Sequence, residues 1–320
     1  MKKLFEQILD WITNLYKGFI SSKIVSVPVG VTKRITLPGF EKVPIYDVAV
    51  FFFNGVKKGD LNTRAAALAY NSFLAIFPAI IFFFTLIPYI PIHNFQDSLL
   101  ALLQDFIPRQ TYMAVQETLF DIIKRPRGGL LSIGFLMAMY FATNSVNSMI
   151  DAFNKTYYTI ETRTAFRQRI LSIFLVIVLS FLVILAISLI TFGPIVINWV
   201  ERIGLLTDWL TLQLIGLAKW LVTLTLLLFA FSVLYYFAIP GKHRYRFITA
   251  GSTLTTFLFI ITSVGFNYYV NNFASYNTLY GSIGTLIIFM LWLYFNSLII
   301  LIGWELNSSI SVARRSYNSL

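Results

Sequence analysis

Six runs of apolar residues, each long enough to cross a lipid bilayer as a helix, divide this chain. A hydrocarbon core of about 30 Å requires about 20 residues of helix. Five of the runs are unbroken, whereas the first contains Asn71, Ser72 and Pro78, so the pattern leaves its shape open. The runs cover residues 65–89, 130–150, 170–197, 217–239, 247–269 and 283–306. This pattern predicts an all-α integral membrane protein built as a bundle of six transmembrane helices.

Amphipathic stretches outside these runs predict helices at the membrane interface. Between Leu4 and Ile20, apolar residues recur at helical spacing with charged residues opposite, as in a helix lying in the inner interface. Two more stretches, separated by Pro108 within residues 99–123, could cap the outer face. Alternatively, all three stretches pack against the bundle. We therefore expect an N-terminal amphipathic helix and cytoplasmic linker (1–44), a six-helix transmembrane domain (45–310) and a short cytoplasmic tail (311–320).

The composition excludes a water-soluble fold. Of 320 residues, 57% are apolar and 12% are charged, and the charged fraction is about half that of a soluble domain. The absence of cysteine excludes disulfides, iron–sulfur clusters and thiolate zinc sites. The two histidines, His93 and His243, are predicted on opposite sides of the membrane. We therefore expect neither a metal site nor a cofactor.

The lysine and arginine residues predict the orientation of the chain. About three quarters of the 25 lie before the first run, between the second and third, between the fourth and fifth, or after the sixth. Positive charge resists translocation, so these segments and both termini are predicted to face the cytoplasm. The net charge of +11 is therefore a topology signal, and we expect no nucleic-acid partner.

One basic cluster departs from this distribution. Lys124, Arg125 and Arg127 lie on the predicted outer side, directly before the second run. Either they bind anionic lipid headgroups, or the first span is drawn wrongly. The other loops agree with the topology, which favours headgroup binding.

Polar residues within the spans carry the most functional information, because they cost free energy in the bilayer. At the end of the second span, four of them share one helix face because they are three or four positions apart. They are Asn144, Asn147, Asp151 and Asn154. This face runs from the cytoplasmic edge into the apolar layer, since Asn144 is about 10 Å deeper than Asp151. It is either a lined cavity or a network of interhelical hydrogen bonds.

Charged residues in two other helices are expected near the same depth. Arg64 opens the first span, and Glu305 lies near the end of the sixth, both at the level of Asp151. Because an unpaired charge at that depth is costly, we expect Arg64 to pair with Asp151 or Glu305. The pair would either close a cavity lined by Asn71, Asn144, Asn147 and Asn296 or act as a structural clasp.

Four sequence blocks, in order along the chain, form a recognisable signature. They are Arg64 to Pro78; Asn144 to Asn154 with Tyr157; Pro240 to Arg246 followed by Gly251 and Ser252; and Tyr280 to Gly284 followed by Leu291 to Tyr294 and Gly303 to Asn307. In these blocks the chain resembles the YihY/virulence factor BrkB family of bacterial inner-membrane proteins. The likeness covers roughly residues 50–310, so the N-terminal helix and most of the linker lie outside it.

The resemblance implies a six-helix inner-membrane protein connected with envelope integrity, resistance to killing by serum and lipid export. An older label for similar proteins is ribonuclease BN, but the sequence gathers no cluster of His, Asp and Glu as a metal-dependent nuclease would need. A membrane-embedded hydrolase lacks an evident nucleophile with an adjacent base. There is also no Gly-rich phosphate loop of an ATP-driven pump.

Two classes of function are left by this reading. One is translocation of a lipid or lipid-like molecule through a groove lined by the first, second and sixth spans. The other is a non-transporting scaffold that binds envelope-assembly partners. Membrane lipids are expected partners in both cases, and a homo-oligomer is compatible with either.

Overall fold

The computed structural model describes residues 43–90, 123–156, 163–202, 209–238, 246–273 and 282–318, with isolated positions between 35 and 41 and between 96 and 121. Within these ranges there are seven α-helices. They are α1 (Ile45–Lys58), α2 (Leu61–Leu86), α3 (Gly128–Asn154), α4 (Ala165–Arg202), α5 (Trp209–Ala238), α6 (Ala250–Phe273) and α7 (Ser282–Asn318). The predicted interfacial helix at 4–20 lies outside the described residues, and so does most of the stretch at 99–123.

Six of the helices, α2 to α7, are long and apolar enough to cross a membrane. Each contains or overlaps one of the six predicted runs, so the prediction of an all-α membrane protein is confirmed. The first span, whose shape the pattern left open, is one continuous helix through Pro78 and ends in a 3-10 turn at Ile87–Tyr89. Two hydrogen bonds fix it to α3, from Asn71 to Ser148 and between Ser72 and Ser145, both 3.0 Å long.

The six long helices form a closed ring in chain order. Each contacts the next, and α7 returns to contact α2. Because six crossings bring the chain back to its starting side, α2 begins and α7 ends at the same end of the bundle. We call the half of the bundle at that end the Arg64 end, and the other half the opposite half.

A segment outside the ring, α1, packs against α7. Val43 and Val48 form a small buried cluster with Ile310 and Ala313, and Arg314 forms an ion pair with Glu41. Residues 311–318, part of the expected short cytoplasmic tail, continue α7 as helix to Asn318. The helix continues because its last turns bury apolar residues against the segment that leads into α1.

Burial is concentrated at the Arg64 end. The main buried cluster uses the starts of α2 and α4 and the ends of α3, α5 and α7, with members such as Ala65, Phe153, Leu175, Tyr235 and Trp304. In the opposite half, the described residues at 216–230 of α5, 261–272 of α6 and 285–296 of α7 include none that is buried. A few described residues of that half are buried, such as Pro78 and Thr85 of α2 and Gly134 of α3. The bundle is therefore packed more closely at the Arg64 end than in the opposite half.

Candidate functional site

At the centre of the Arg64 end, the Arg64 side chain joins the ends of two helices. Its Nη1 donates a hydrogen bond of 2.8 Å to the carbonyl oxygen of Gly59, just after α1. Its Nη2 donates one of 2.5 Å to the carbonyl oxygen of Ala152, in the last turn of α3. Carbonyls at a helix C-terminus lack intrahelical donors and carry partial negative charge. The buried guanidinium therefore satisfies and neutralises two helix ends at once.

The neighbouring carbonyl of α3 is satisfied by Trp304. The indole Nε1 donates a hydrogen bond of 3.0 Å to the carbonyl oxygen of Phe153. The ring of Trp304 stacks on that of Phe153, with centroids 4.4 Å apart, and Tyr235 packs against both rings. The C-terminus of α3 is thus held by side chains from α2 and α7.

Glu305 is the fully buried acidic group of this site, with 0% exposure. One carboxylate oxygen accepts a hydrogen bond from the Thr156 hydroxyl, just beyond α3. The other oxygen, Oε1, lies against Gly55 of α1, where any Cβ would overlap it. Among the described residues, Glu305 Oε1 and Arg64 Nε have no hydrogen-bond partner. The absence of a side chain at Gly55 is what admits the carboxylate.

The predicted ion pair between Arg64 and Asp151 or Glu305 is wrong in its detail. Among the described residues, the ion pairs within 4 Å join Lys124 to Asp97, Arg125 and Arg127 to Asp121, and Arg314 to Glu41. Arg64 binds backbone carbonyls instead, and Glu305 and Asp60 act on it electrostatically from farther away. The carbonyls win because the buried ends of α1 and α3 need donors that water does not supply there.

Three of the four polar residues predicted on one face of α3 converge on Gln168 of α4. Gln168 Nε2 donates to Asp151 Oδ1 at 2.5 Å and to Asn147 Oδ1 at 3.1 Å. Asn147 in turn donates to Asp151 at 3.2 Å, and Asn154 donates to Gln168 Oε1 at 3.4 Å. Ser172, one turn along α4, donates to Asn147 at 3.5 Å. This face forms an interhelical hydrogen-bond network.

The remaining predicted polar residues lie apart from this network. Asn144 is half-buried and makes no hydrogen bond to the described residues. Asn71 belongs to the contact between α2 and α3, while Asn296 donates to the carbonyl oxygen of Trp292 in its own helix at 2.7 Å. The structure therefore does not bring Asn71, Asn144, Asn147 and Asn296 together in one lining.

The basic cluster before α3 is partly neutralised. Lys124 lies 2.5 Å from Asp97 and over the ring of Phe120, while Arg125 and Arg127 both pair with Asp121. An anionic headgroup at this position would have to compete with these two carboxylates. Headgroup binding by the three cations stays a prediction.

The sequence reasoning missed a third polar network, between α5, α6 and α7. Tyr235 shares a hydrogen bond of 2.6 Å with Thr255 and donates one of 2.7 Å to the carbonyl oxygen of Ile300. Asn307 Oδ1 accepts from the amide of Gly251 at 2.8 Å. The sequence carried a signal for this network, because hydroxyl and amide side chains recur at the start of the fifth run and at the end of the sixth. The same kind of signal was present for Gln168 and Ser172, at the start of the third run.

Arg163, which precedes α4, binds the end of α5 in the way that Arg64 binds the ends of α1 and α3. It donates a hydrogen bond of 3.4 Å to the carbonyl oxygen of Ala238, the last residue of α5. Burial lowers the pKa of the Arg163 guanidinium from its ordinary value. Because arginine is the most basic of the side chains, the group stays charged at neutral pH.

The described residues contain no group of three or more His, Asp or Glu that could hold a metal ion. Their polar chemistry consists of helix-end carbonyls bound by side chains, amide and hydroxyl networks between helices, and one buried carboxylate. With six membrane-crossing helices, these features define a polytopic helical membrane protein.

The comparisons with known proteins name the family. The chain belongs to the Virulence factor BrkB family, which matches residues 52–319. The ribonuclease-like protein YfkH of Bacillus subtilis is 33% identical over 77% of this chain and 89% of its own length. UPF0761 membrane proteins of Alteromonas mediterranea and Haemophilus influenzae are 26% and 22% identical, over 83% and 84% of this chain and 88% and 96% of their own lengths. No solved structure matches the chain.

Proposed function

We propose that this protein translocates a lipid or lipid-like molecule across the inner membrane of a bacterial cell, in support of envelope integrity. The observation that carries the proposal is the uneven packing of the ring. One half is held closed by buried side chains and hydrogen bonds, while the described side chains of the other half are mostly half-buried or exposed. A carrier that opens on one side at a time needs such a difference between its two halves.

The proposed route is a groove between α2, α3 and α7 in the opposite half. In that half α2 and α3 also meet where Gly134 faces the backbone of Phe82 and where the rings of Phe82 and Phe135 lie 5.5 Å apart. Between α2 and α7 the described contacts include a looser ring contact, Phe73 with Phe289, whose centroids are 6.4 Å apart. Such contacts can be exchanged for contacts with acyl chains at little cost, because lipid tails are as apolar as the side chains they replace. The Arg64 end would act as the closed gate.

We infer that the Arg64 end faces the cytoplasm. Basic residues concentrate in the segments that flank this end, including Lys57, Lys58, Arg163, Arg167 and Arg315. Single cysteines can be introduced in this cysteine-free chain as Thr162→Cys and Tyr276→Cys. In intact cells, an impermeant maleimide added outside should label Tyr276→Cys, whereas Thr162→Cys should be labelled only from the cytoplasmic side. Labelling of both from outside would refute this orientation.

A specific observation favours a second function, a non-transporting scaffold for envelope-assembly partners. The face from Asn147 to Asn154, the candidate for a cavity lining, is used up in hydrogen bonds to α4. A protein whose polar residues only hold helices together could serve as a docking platform.

Reconstitution separates the two functions. Purified protein in liposomes that contain a fluorescent phospholipid should expose the inner-leaflet fluorophore to dithionite, so that quenching passes the limit of about half seen without protein. The scaffold function predicts no quenching beyond that limit.

A matched pair of cross-links tests the route. The double variant Phe73→Cys/Phe289→Cys, bridged by a short bifunctional reagent, should slow translocation because it ties α2 to α7 in the opposite half. The bridged Glu41→Cys/Arg314→Cys variant joins residues outside the spans that already contact each other, so translocation should continue at the wild-type rate. Equal rates for both bridged variants would contradict the route between α2 and α7.

A further inference from the structure

A seam between α3 and α4 runs away from the Gln168 network along the membrane-facing side of the bundle. On α3 the stripe of Asp151 and Asn147 continues, at steps of three or four residues, through Asn144 and Tyr140 to Leu136. The core residues Val146, Ile150 and Phe153 occupy a different face of α3. Tyr140 is 57% exposed and Leu136 is 66% exposed, although both continue the stripe that faces α4 at the Arg64 end. We call the seam from Asn144 to Leu136 the groove; it is half-buried at Asn144 and exposed and largely apolar beyond it.

Arg169 of α4 lies at the mouth of this groove. It directly follows Gln168, and its guanidinium carbon lies 5.3 Å from the centroid of the Tyr140 ring. In the described part of the chain, none of the ion pairs includes Arg169. A charged arginine within a span is costly unless it finds an anion or water, and the aromatic ring supplies only a weak partner.

Two further donors lie on the α3 stripe that Arg169 contacts, and neither has an acceptor among the described residues. Asn144 is half-buried, one helical turn from Tyr140, and forms no hydrogen bond to the described residues. The Tyr140 hydroxyl likewise forms none to them. A guanidinium, an amide and a phenol thus lie at the end of the groove nearest the Gln168 network, and the rest of the groove is apolar.

We propose that this groove binds a lipid with an anionic phosphate headgroup. The phosphate contacts Arg169, with Asn144 and Tyr140 as supporting donors, and an acyl chain lies along Leu136 and Met137. A planar guanidinium suits a phosphate because it can donate two parallel hydrogen bonds. A soluble phosphate would gain nothing from the exposed apolar stripe, so the combination points to a lipid. This inference rests on the proposed function and names its substrate class; the groove would be a binding site on the α4 side of α3, separate from the route between α2, α3 and α7.

Native mass spectrometry of the detergent-solubilised protein with phosphatidylglycerol tests the site. Arg169→Ala should weaken retention of this lipid about tenfold or more, the usual effect of losing a charged hydrogen bond. Arg167→Ala is the matched control, because Arg167 is exposed on the same helix and removes the same charge; it should change retention by about twofold at most. Asn144→Leu should weaken retention about threefold or more without altering the charge of the protein.

The outcomes separate the lipid from other ligands. The lipid site is supported if diacylglycerol, which lacks the phosphate, fails to displace phosphatidylglycerol and millimolar glycerol 3-phosphate, which lacks acyl chains, also fails. Full displacement by glycerol 3-phosphate would overturn the lipid assignment in favour of a soluble phosphate. Equal losses for Arg169→Ala and Arg167→Ala, with no loss for Asn144→Leu, would overturn the site.

The same variants distinguish failure of this site from failure of the proposed function. If Arg169→Ala loses phosphatidylglycerol but translocates lipid at the wild-type rate in liposomes, the groove is not the substrate site and translocation stands. If the wild-type protein binds phosphatidylglycerol through Arg169 but translocates nothing, the site stands and the proposed function fails.

Discussion

The same six helices form both halves of this bundle, but the two halves are packed differently. At the Arg64 end, side chains bind helix-end carbonyls, and a Cβ added at Gly303 would overlap Thr255 Oγ1. In the opposite half, a Cβ added at Gly265 would meet nothing within 4 Å, and large apolar side chains such as Val264 are exposed. Apolar content therefore does not decide where the helices close.

The difference follows from the physics of the bilayer. Lipid tails are as apolar as leucine, so burying apolar surface between helices gains little there. Small residues that allow close approach, and polar groups that need partners, supply the preference for helix–helix contact. At the Arg64 end these groups meet between helices, as Gly303 does with Thr255 and Gln168 with Asp151, and that end is packed.

The largest effect is expected for Arg64→Ala. This variant leaves the carbonyls of Gly59 and Ala152 without their donor and removes the positive charge that acts on buried Glu305. The free energy of unfolding should fall by about 3 kcal/mol or more, as for other buried charged hydrogen bonds. Denaturation by SDS in mixed micelles measures this change. Arg167→Ala, at an exposed position, should stay within about 0.5 kcal/mol of wild type; an equal loss in both variants would remove the special role of Arg64.

A pair of glycine substitutions probes the two halves directly. Gly303→Ala should destabilise the protein by about 1 to 3 kcal/mol, because the new methyl group overlaps the Thr255 hydroxyl and crowds that of Tyr235. Gly265→Ala has open space around it and should be neutral or stabilising by up to about 1 kcal/mol, through helix propensity. The same denaturation assay compares them. Equal effects would show that the halves do not differ in packing.

The smallest effect is expected for Asp151→Asn. The new amide presents a donor where Asn147 and Gln168 both donate, so the free energy of unfolding should fall by about 1 to 2 kcal/mol. Asn144→Leu is the comparison, because Asn144 has no such bond among the described residues, and its stability should change by about 0.5 kcal/mol at most. If Asp151→Asn kept wild-type stability but lost translocation in liposomes, Asp151 would belong to a transport path and not to a structural network.

The helices of this fold were predictable from the sequence because a bilayer demands long apolar runs. The contact between Asn147, Asp151 and Asn154 and one partner was also within reach, since their spacing fixes them on one face. Their partner, Gln168, could not be predicted. It lies near the start of a very apolar run, and no local pattern shows which way its side chain faces. α1 was missed because it is short and its apolar residues gain their meaning only from α7.

The role of Arg64 shows a different limit. Its depth and its charge were readable, and both suggested an acidic partner. The actual acceptors are the backbone carbonyls of Gly59 and Ala152. Every residue carries such a carbonyl, so the sequence does not distinguish these two from the others. Which carbonyls lack a donor depends on where α1 and α3 end in space, and that is a property of the assembled bundle.

The length of α7 has a mechanical consequence. A helix of 37 residues is about 55 Å long, well beyond the roughly 30 Å of the hydrocarbon core. Its last turns, near Ile310 and Arg314, therefore stand outside the membrane with α1 clipped to them. A change in the tilt of α7 within the bilayer would therefore displace these last turns together with α1. In this way a rearrangement among the lipids would move a surface that faces the aqueous phase.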